Sequence, residues 1–263
     1  MEQKYFKKLC DFIYEQSGIS LTEKKEALVN TRISKRMRAH GIDNVKEYID
    51  LITNDSSGNE IIQLLDVIST NVTHFFRENV HFEFLTEKMK EWLSEGNRRF
   101  RFWSAGCSSG EEPYSLAITL SEVIGENNID TKILATDIST RILEKANNGV
   151  YESDKVANVP KLYKSRYFIN NTNVFSVKDS IRSTIVFRRL NLSKVPFPMN
   201  GPMDVIFCRN VMIYFDNYIR EKLIKEFYRL LKPGGYLFVG HSESLTGLLS
   251  GMKAVKPSIY IKE

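Results

Sequence analysis

Residues 99–124 read RFRFWSAGCSSGEEPYSLAITLSEVI, and this stretch decides the fold class. Arg99 to Ala105 alternates toward an apolar run, the pattern of a strand buried in a sheet. Gly106 to Gly110 is a turn of small residues, and Pro113 stands in the first turn of a helix that continues to Ile124. Working downstream, Lys132–Thr136 reads as a second strand, and Ser139 caps a helix from Thr140 to Asn147. Asp204–Cys208 is another apolar run. Tyr218–Leu231 is an amphipathic helix halted at Lys232-Pro233-Gly234-Gly235, and Tyr236–Val239 is a further strand. Strand alternating with helix predicts an α/β domain, a parallel sheet with helices on its faces. From Val150 to Phe187 the rhythm gives way to short β-branched and aromatic runs around Asn170-Asn171-Thr172-Asn173, read as a small antiparallel β insertion.

Upstream, nothing in the first 70 residues reads as a strand. Tyr5, Leu9, Phe12 and Ile13 fall at helical spacing before Gly18, and Thr22 precedes a pattern through Leu28, Ile33 and Met37 that ends at Gly41. Val45 to Ile52 and Ile61 to Ile68 give two more helices across the turn-rich segment 54–59. The expected organisation is an all-α domain over 1–75, a linker and connecting helix over 76–97, and an α/β domain over 98–263 with the β subdomain at 150–187.

With 263 residues, 42% hydrophobic and 26% charged, the chain can bury a real core, which excludes disorder and fibres. No run approaches the roughly 18 apolar residues of a membrane span, and MEQKYFKKLCDF at 1–12 has no apolar leader, so a soluble, cytoplasmic protein is expected. Cys10, Cys107 and Cys208 form no close pair, and His74 and His241 have no ligand spacing. Neither a disulfide framework nor a metal site is expected. Charge is uneven: between Thr22 and Gly41, Lys24, Lys25, Arg32, Lys35, Arg36 and Arg38 face only Glu23 and Glu26. Arg32, Lys35 and Arg36 share a helix face with Arg38 at its margin, which suits an acidic partner.

The loop after the first strand lies where open α/β sheets bind nucleotides. It is not G-x-G-x-x-G, and a helix start carrying Glu111 and Glu112 repels phosphate, which disfavours a dinucleotide or ATP. A cationic ligand without phosphate fits better, and S-adenosylmethionine is the common one, although the two acids also complement the helix dipole on their own. Asp137 ends the second strand, where an acid accepts both ribose hydroxyls; the glycine loop at the first strand favours that reading over a mere cap of the next helix, a position for which Ser139 competes. Asn191-Leu192 and Arg209-Asn210 follow two further strands and lie in the ligand plane, or serve as turn formers. Cys107 has no His-Asp pair placed to activate it. Of the aromatic pairs Phe75-Phe76 and Tyr214-Phe215, only Tyr214 is carried forward, since such pairs are usually core.

Taken together, NVTHFFRE (71–78), WSAGCSSGEEPYS (103–115), FCRNVMIYF (207–215) and GHSE (240–243) closely resemble the CheR family of chemoreceptor glutamate methyltransferases. The resemblance spans nearly the whole chain, the helical domain included, and implies a Rossmann-like S-adenosylmethionine-dependent methyltransferase domain. It implies methyl transfer to glutamate side chains on the cytoplasmic helical bundle of chemotaxis receptors for sensory adaptation, giving glutamate 5-methyl esters and S-adenosylhomocysteine. By that resemblance Asn71, Thr73, Arg77, Gly106, Glu111 or Glu112, Asp137, Asn191, Leu192, Arg209 and Asn210 line the cofactor site, and Arg77 and Tyr214 face the methyl-transfer centre. The basic face of Arg32, Lys35, Arg36 and Arg38 becomes a docking surface for an acidic receptor helix. Family members differ in whether the β insertion also grips a receptor tether, and the short glycine-free turn at 170–173 leans away from one. Two rival readings are a catalytically silent adaptor of the same fold and a nucleic-acid methyltransferase. Asn71, Arg77, Asp137 and Tyr214 argue against the first, and the lack of aromatics among the basic residues against the second. A monomer is expected.

Overall fold

A computed structural model describes residues 2–21, 26–68, 72–245, 247–248 and 251–263. The first four helices are α1 (Gln3–Ser17), α2 (Glu26–Ala39), α3 (Val45–Asn54) and α4 (Asn59–Ile68). They form because apolar residues recur every three or four positions, and Phe6, Leu9, Ile13, Ile33, Tyr48, Ile49, Leu64 and Leu65 meet in one core. Helix α1 stops at Gly18, whose left-handed backbone (φ +75°) sends its N–H to the Tyr14 carbonyl at 2.7 Å. A side chain there would lie 2.4 Å from Ser193 Cβ, so the stop also allows close approach to the other domain.

Inside this bundle Glu60 gathers four donors. Arg36 Nε and Nη2 donate at 3.0 and 2.5 Å, the Tyr48 hydroxyl donates at 2.7 Å, and His40 Nε2 lies at 2.7 Å. Arg32 Nη1 donates to the Ile68 carbonyl at the end of α4 at 2.5 Å. Two cations of the expected docking face are thus spent on holding α2 against α4.

The second unit is a seven-stranded sheet. Its strands are β1 (Arg99–Ala105), β2 (Asp130–Asp137), β6 (Ile185–Arg189), β7 (Met203–Cys208), β8 (Leu231–Val239), β9 (Met252–Lys256) and β10 (Ile259–Lys262), in the order β6-β2-β1-β7-β8-β10-β9. The five strands from β6 to β8 are parallel; β10 runs antiparallel to both β8 and β9. That C-terminal hairpin is a departure from the purely parallel expectation. Phe100 and Phe102, Val205 and Phe207, and Tyr236 and Phe238 supply one apolar layer. Trp103, Ile206, Cys208, Leu237 and Val239 supply the other, as the two-residue period of strands requires.

Helix α5 (Val80–Ser94) is a packed layer of this domain: Phe82 stacks on Phe207 at 5.7 Å and Trp92 on Phe100 at 5.8 Å. It therefore does more than connect. Helices α6 (Glu111–Ile124), α7 (Thr140–Asn148), α9 (Asp179–Arg182) and α10 (Asn217–Leu230) link the parallel strands. The small antiparallel sheet comprises β3 (Val150–Glu152), β4 (Phe168–Asn171) and β5 (Val174–Val177), with helix α8 (Lys161–Tyr167) before β4. It closes at Val177, short of the expected residue 187. Ile185–Arg189 instead pairs with β2 from Ile133 to Asp137 and extends the large sheet, carrying Phe187 to within 5.9 Å of Tyr114. Among the described residues no helix is long and apolar enough to cross a membrane.

The Glu60 network sets a stability prediction. Burial by itself raises the Glu60 carboxyl, but the donors on Arg36, Tyr48 and His40 outweigh it and hold the group below its ordinary value of 4.5. Because the folded value is the lower one, the stabilisation is present at neutral pH and is lost as acid protonates the folded carboxylate. Glu60→Ala should cost about 3–5 kcal/mol at pH 7, the range for breaking a buried ion pair by removing one partner. Denaturation followed from pH 7 downward should show the gap to wild type narrowing below the ordinary carboxylate range; a constant gap would exclude an ionic origin.

Candidate active site

A cleft with an empty volume of about 1180 Å³, open solvent included, lies beyond the carboxyl ends of β1, β2, β6 and β7. Each of these strands delivers its next residues into it: Gly106 to Ser108, Ile138, Leu190 to Leu192, and Arg209 to Val211. Val72, Thr73, His74 and Arg77 form a second wall, and Ile213 to Phe215 a third. The helical domain completes the enclosure with Ser17 and Ile19.

The glycine loop is held open by its own backbone. The amides of Gly106 and Cys107 both donate to the Thr136 carbonyl, at 2.8 and 2.9 Å. Gly106 has φ +84°, and a Cβ there would lie 2.4 Å from Val211 Cγ2, so glycine is required by both torsion and space. Ser108 takes φ +48° and donates its amide to Asp137 Oδ2 at 2.9 Å. Asp137 Oδ1 accepts from the Ser139 amide at 3.1 Å, while the Ser139 hydroxyl caps α7 by accepting from the Ile142 amide. Asp137 is thus not the helix cap. Its carboxylate faces the cleft, and burial raises its pKa, opposed by those amide donors.

Glu111 and Glu112 part company. Consecutive helical residues point about 100° apart, so only one can face the cleft. Glu112 does, bonded to the Ser104 hydroxyl at 2.7 Å. Glu111 turns into the protein and accepts from the Ser109 hydroxyl at 2.6 Å; its place in the cofactor wall is corrected accordingly.

Arg209 is only 6% exposed. Its Nε lies 3.4 Å from Glu78 Oε2 and 3.5 Å from Glu112 Oε2, its plane sits over the Phe82 and Phe207 rings, and Nη2 donates to the Arg77 carbonyl. Burial raises the Glu112 carboxyl, and Arg209 opposes that rise. Arg77 sends Nη1 to the Val72 carbonyl at 2.8 Å. Tyr214 ends a 3₁₀ turn, Met212–Tyr214, and is half-buried at the cleft. Asn191 lines the cleft, but its amide donates to the Gln16 carbonyl at 2.8 Å and its carbonyl accepts from Ser193, so its side chain serves the turn and the domain contact. Asn71, Lys24 and Lys25 lie outside the described residues.

The expected docking residues sit on α2, away from the cleft. Lys35 and Arg38 are exposed, whereas Arg32 and Arg36 are engaged as described. His74 is exposed at the cleft wall. Cys107 is buried, and burial together with Asp137 and Glu112 pushes its thiol well above its ordinary value, which keeps it protonated. Glu78, His81 and His241 bring ligand-capable atoms within 4.8 Å of one another, but Glu78 Oε2 already faces Arg209. Residues that local sequence did not single out include Ser17, Ile19 and Val211, and Phe215, set aside as core, also lines the cleft; the first two come from a domain far away in the chain, and no local pattern signals that.

The donor set fits S-adenosylmethionine. Arg209 Nη1 and the Ser108 hydroxyl are buried at the cleft with no partner of their own, as groups awaiting a ligand would be. Asp137 and Glu112 offer acceptors for hydroxyl and ammonium groups, Arg77 and Arg209 offer donors for a carboxylate, and Leu192, Val211 and Phe215 supply apolar surface.

Comparison with known proteins agrees. The model of the CheR methyltransferase SAM binding domain matches residues 71–261, and that of the CheR methyltransferase all-alpha domain matches residues 4–69. The chemotaxis protein methyltransferase of Borreliella burgdorferi is 41% identical over 97% of this chain and 93% of its own. The protein of that name from Salmonella typhimurium is 35% identical over 99% and 90%. Two adjoining domains in the same order, matched across almost the full length, mean that this chain belongs to the CheR methyltransferase family.

Proposed function

We propose that this protein methylates glutamate side-chain carboxylates on the cytoplasmic helical bundle of chemotaxis receptors, leaving glutamate 5-methyl esters and S-adenosylhomocysteine. The observation that carries the reading is the meeting of Asp137, Glu112, Arg77, Arg209 and Tyr214 around one cleft in a chain of this family. S-adenosylmethionine, when bound, supplies a methyl group on a cationic sulfur. A glutamate side chain, with a pKa near 4.3, is ionised at pH 7, so no general base is needed. The work left to the protein is placement, which is worth about 7–11 kcal/mol when the reacting atoms are in line.

Asp137 accepts the ribose hydroxyls, and Arg209 and Arg77 receive the methionine carboxylate. A tight pair between Arg77 and the substrate carboxylate would blunt its nucleophilicity, so we assign Arg77 first to the cofactor and second to orientation. The Tyr214 hydroxyl orients the incoming carboxylate, while Ile19, Val211 and Phe215 keep water from it. For the receptor, the exposed cations of α2 are Lys35 and Arg38, and we assign docking on an acidic helix to them, with Arg32 and Arg36 supporting the face from below.

The test is transfer of labelled methyl from S-adenosylmethionine to receptor-containing membranes, with release of the label by base as the signature of an ester; label that survives base would exclude glutamate esters. Within that assay, Asp137→Ala should weaken cofactor binding by about 1.5–3 kcal/mol, the range for hydrogen bonds to a charged group. Tyr214→Phe should leave binding near wild type and lower kcat, since its contact is made mainly at the transition state. Calorimetry separates the two, and parallel loss of affinity in both variants would refute the division of roles.

A second prediction concerns docking. Lys35→Glu combined with Arg38→Glu should raise KM for receptor and flatten its salt dependence, because steering between exposed charges is screened over about 8 Å at physiological ionic strength. Cofactor affinity should not move. An unaltered KM at low salt would place recognition elsewhere.

A further inference from the structure

Glu243 is 4% exposed, is not part of the cleft wall, and among the described residues forms no ion pair. Its carboxylate is nonetheless saturated with backbone donors from two loops. Oε2 accepts from the Asn210 amide at 2.7 Å and from the Gly240 amide at 2.6 Å, and Oε1 accepts from the Ile213 amide at 3.2 Å. The Glu243 amide returns to the Gly240 carbonyl at 2.8 Å, which closes the turn after β8 on itself. Asn210 has φ +60°, a left-handed turn conformation that asparagine tolerates, and its amide is pinned there by the Glu243 carboxylate. Space is fitted to the same end: a Cβ at Gly240 would lie 2.5 Å from Asn210 Nδ2.

These two amides bracket the segment that matters. The Asn210 amide lies one residue from the start, and the Ile213 amide one residue from the end, of the run Arg209-Asn210-Val211-Met212-Ile213-Tyr214, which carries a cleft-facing residue at each end. We propose that Glu243 is a positioning residue for methyl transfer: one oxygen fixes the cofactor-side end of this loop through Asn210, and the other fixes the Tyr214 end through Ile213. The inference rests on the methyl-transfer reading above and adds to it a role for a side chain that touches neither substrate nor cofactor. A buried carboxylate suits the task because it takes several amide donors on two rigidly linked oxygens, and charge-assisted bonds of this kind are stronger than neutral ones.

The two oxygens make the test specific. Glu243→Gln keeps size but has a single acceptor oxygen; turned toward Asn210 and Gly240, it leaves an NH₂ facing the Ile213 amide, donor against donor. The expected signature is a roughly 10- to 100-fold loss of kcat, the scale for a misplacement of about 1 Å, with the Kd for S-adenosylhomocysteine within about threefold of wild type. Glu243→Ala should lose both. Calorimetry gives the number of binding sites per molecule, so kcat is read per competent site. A merely structural role would reduce the number of sites and leave turnover per site unchanged, and that result, or kcat per site within twofold of wild type, would overturn the proposal. Should Glu243→Gln not fold, Glu243→Asp, which keeps both oxygens but draws them back by one methylene, is read by the same two quantities and the same thresholds. If wild type binds S-adenosylhomocysteine but transfers no methyl to receptor, it is the functional reading that fails, and the positioning claim with it.

Discussion

The buried guanidinium of Arg209 is the constraint from which the site is built. It comes from the loop after β7, faces Glu78 from the turn before α5 and Glu112 from the first turn of α6, and binds the backbone of Arg77. Three loops that share no sequence neighbourhood therefore have one electrostatic centre. A charge this deep is costly unless paired, and here one cation meets two acids, leaving the cluster short of positive charge.

The helical domain belongs to the site and is more than an appendage. The Ser20 amide donates to the Tyr214 carbonyl at 2.8 Å, Ile19 pairs with Phe215 as an isolated β-bridge, and the Tyr14 hydroxyl donates to Asp216 Oδ2 at 2.6 Å. Asn191 and Lys194 donate to the carbonyls of Gln16 and Glu15. All five contacts converge on the end of α1 and the two loops that flank the cleft, so the position of Tyr214 depends on residues near 19 as much as on its own loop.

Positive φ at residues other than glycine is concentrated at the same place. Phe76, Glu78, Ser108 and Asn210 all adopt it, and all belong to loops that border the cleft. In Glu78 and Ser108 this conformation stores backbone strain of order 1–3 kcal/mol, held in place by Arg209 and Asp137, while Glu243 pins the turn at Asn210. Carboxylates thus brace backbone here as well as line the cleft. The β subdomain adds a further brace, since the Tyr151 hydroxyl donates to the Ser109 carbonyl at 2.7 Å and leaves no room for a side chain at Gly110.

The sequence by itself determined the alternation of strand and helix from Arg99 to Val239, the four-helix start, and the strand ends that supply Gly106, Asp137 and Arg209, because periodicity and turn chemistry are local properties of the chain. The same holds for Gly106 and for the Ser139 cap. Local reading could not decide between Glu111 and Glu112, because a 100° step on a helix has meaning only relative to the sheet it packs on. It placed Arg32 and Arg36 on an exposed face, whereas Ile68 at the end of α4 and Glu60, 36 and 24 residues away, draw them inward. It ended the β insertion too late, since whether Ile185–Arg189 joins the small sheet or the large one depends on β2 being free to pair. And it gave Glu243 no role, because a carboxylate that holds backbone amides is invisible until those amides, from 3 to 33 residues away, are brought to it. Local pattern determined the elements; the pairing of charges and amides across them was decided only by tertiary structure, where burial makes an unpaired polar group costly.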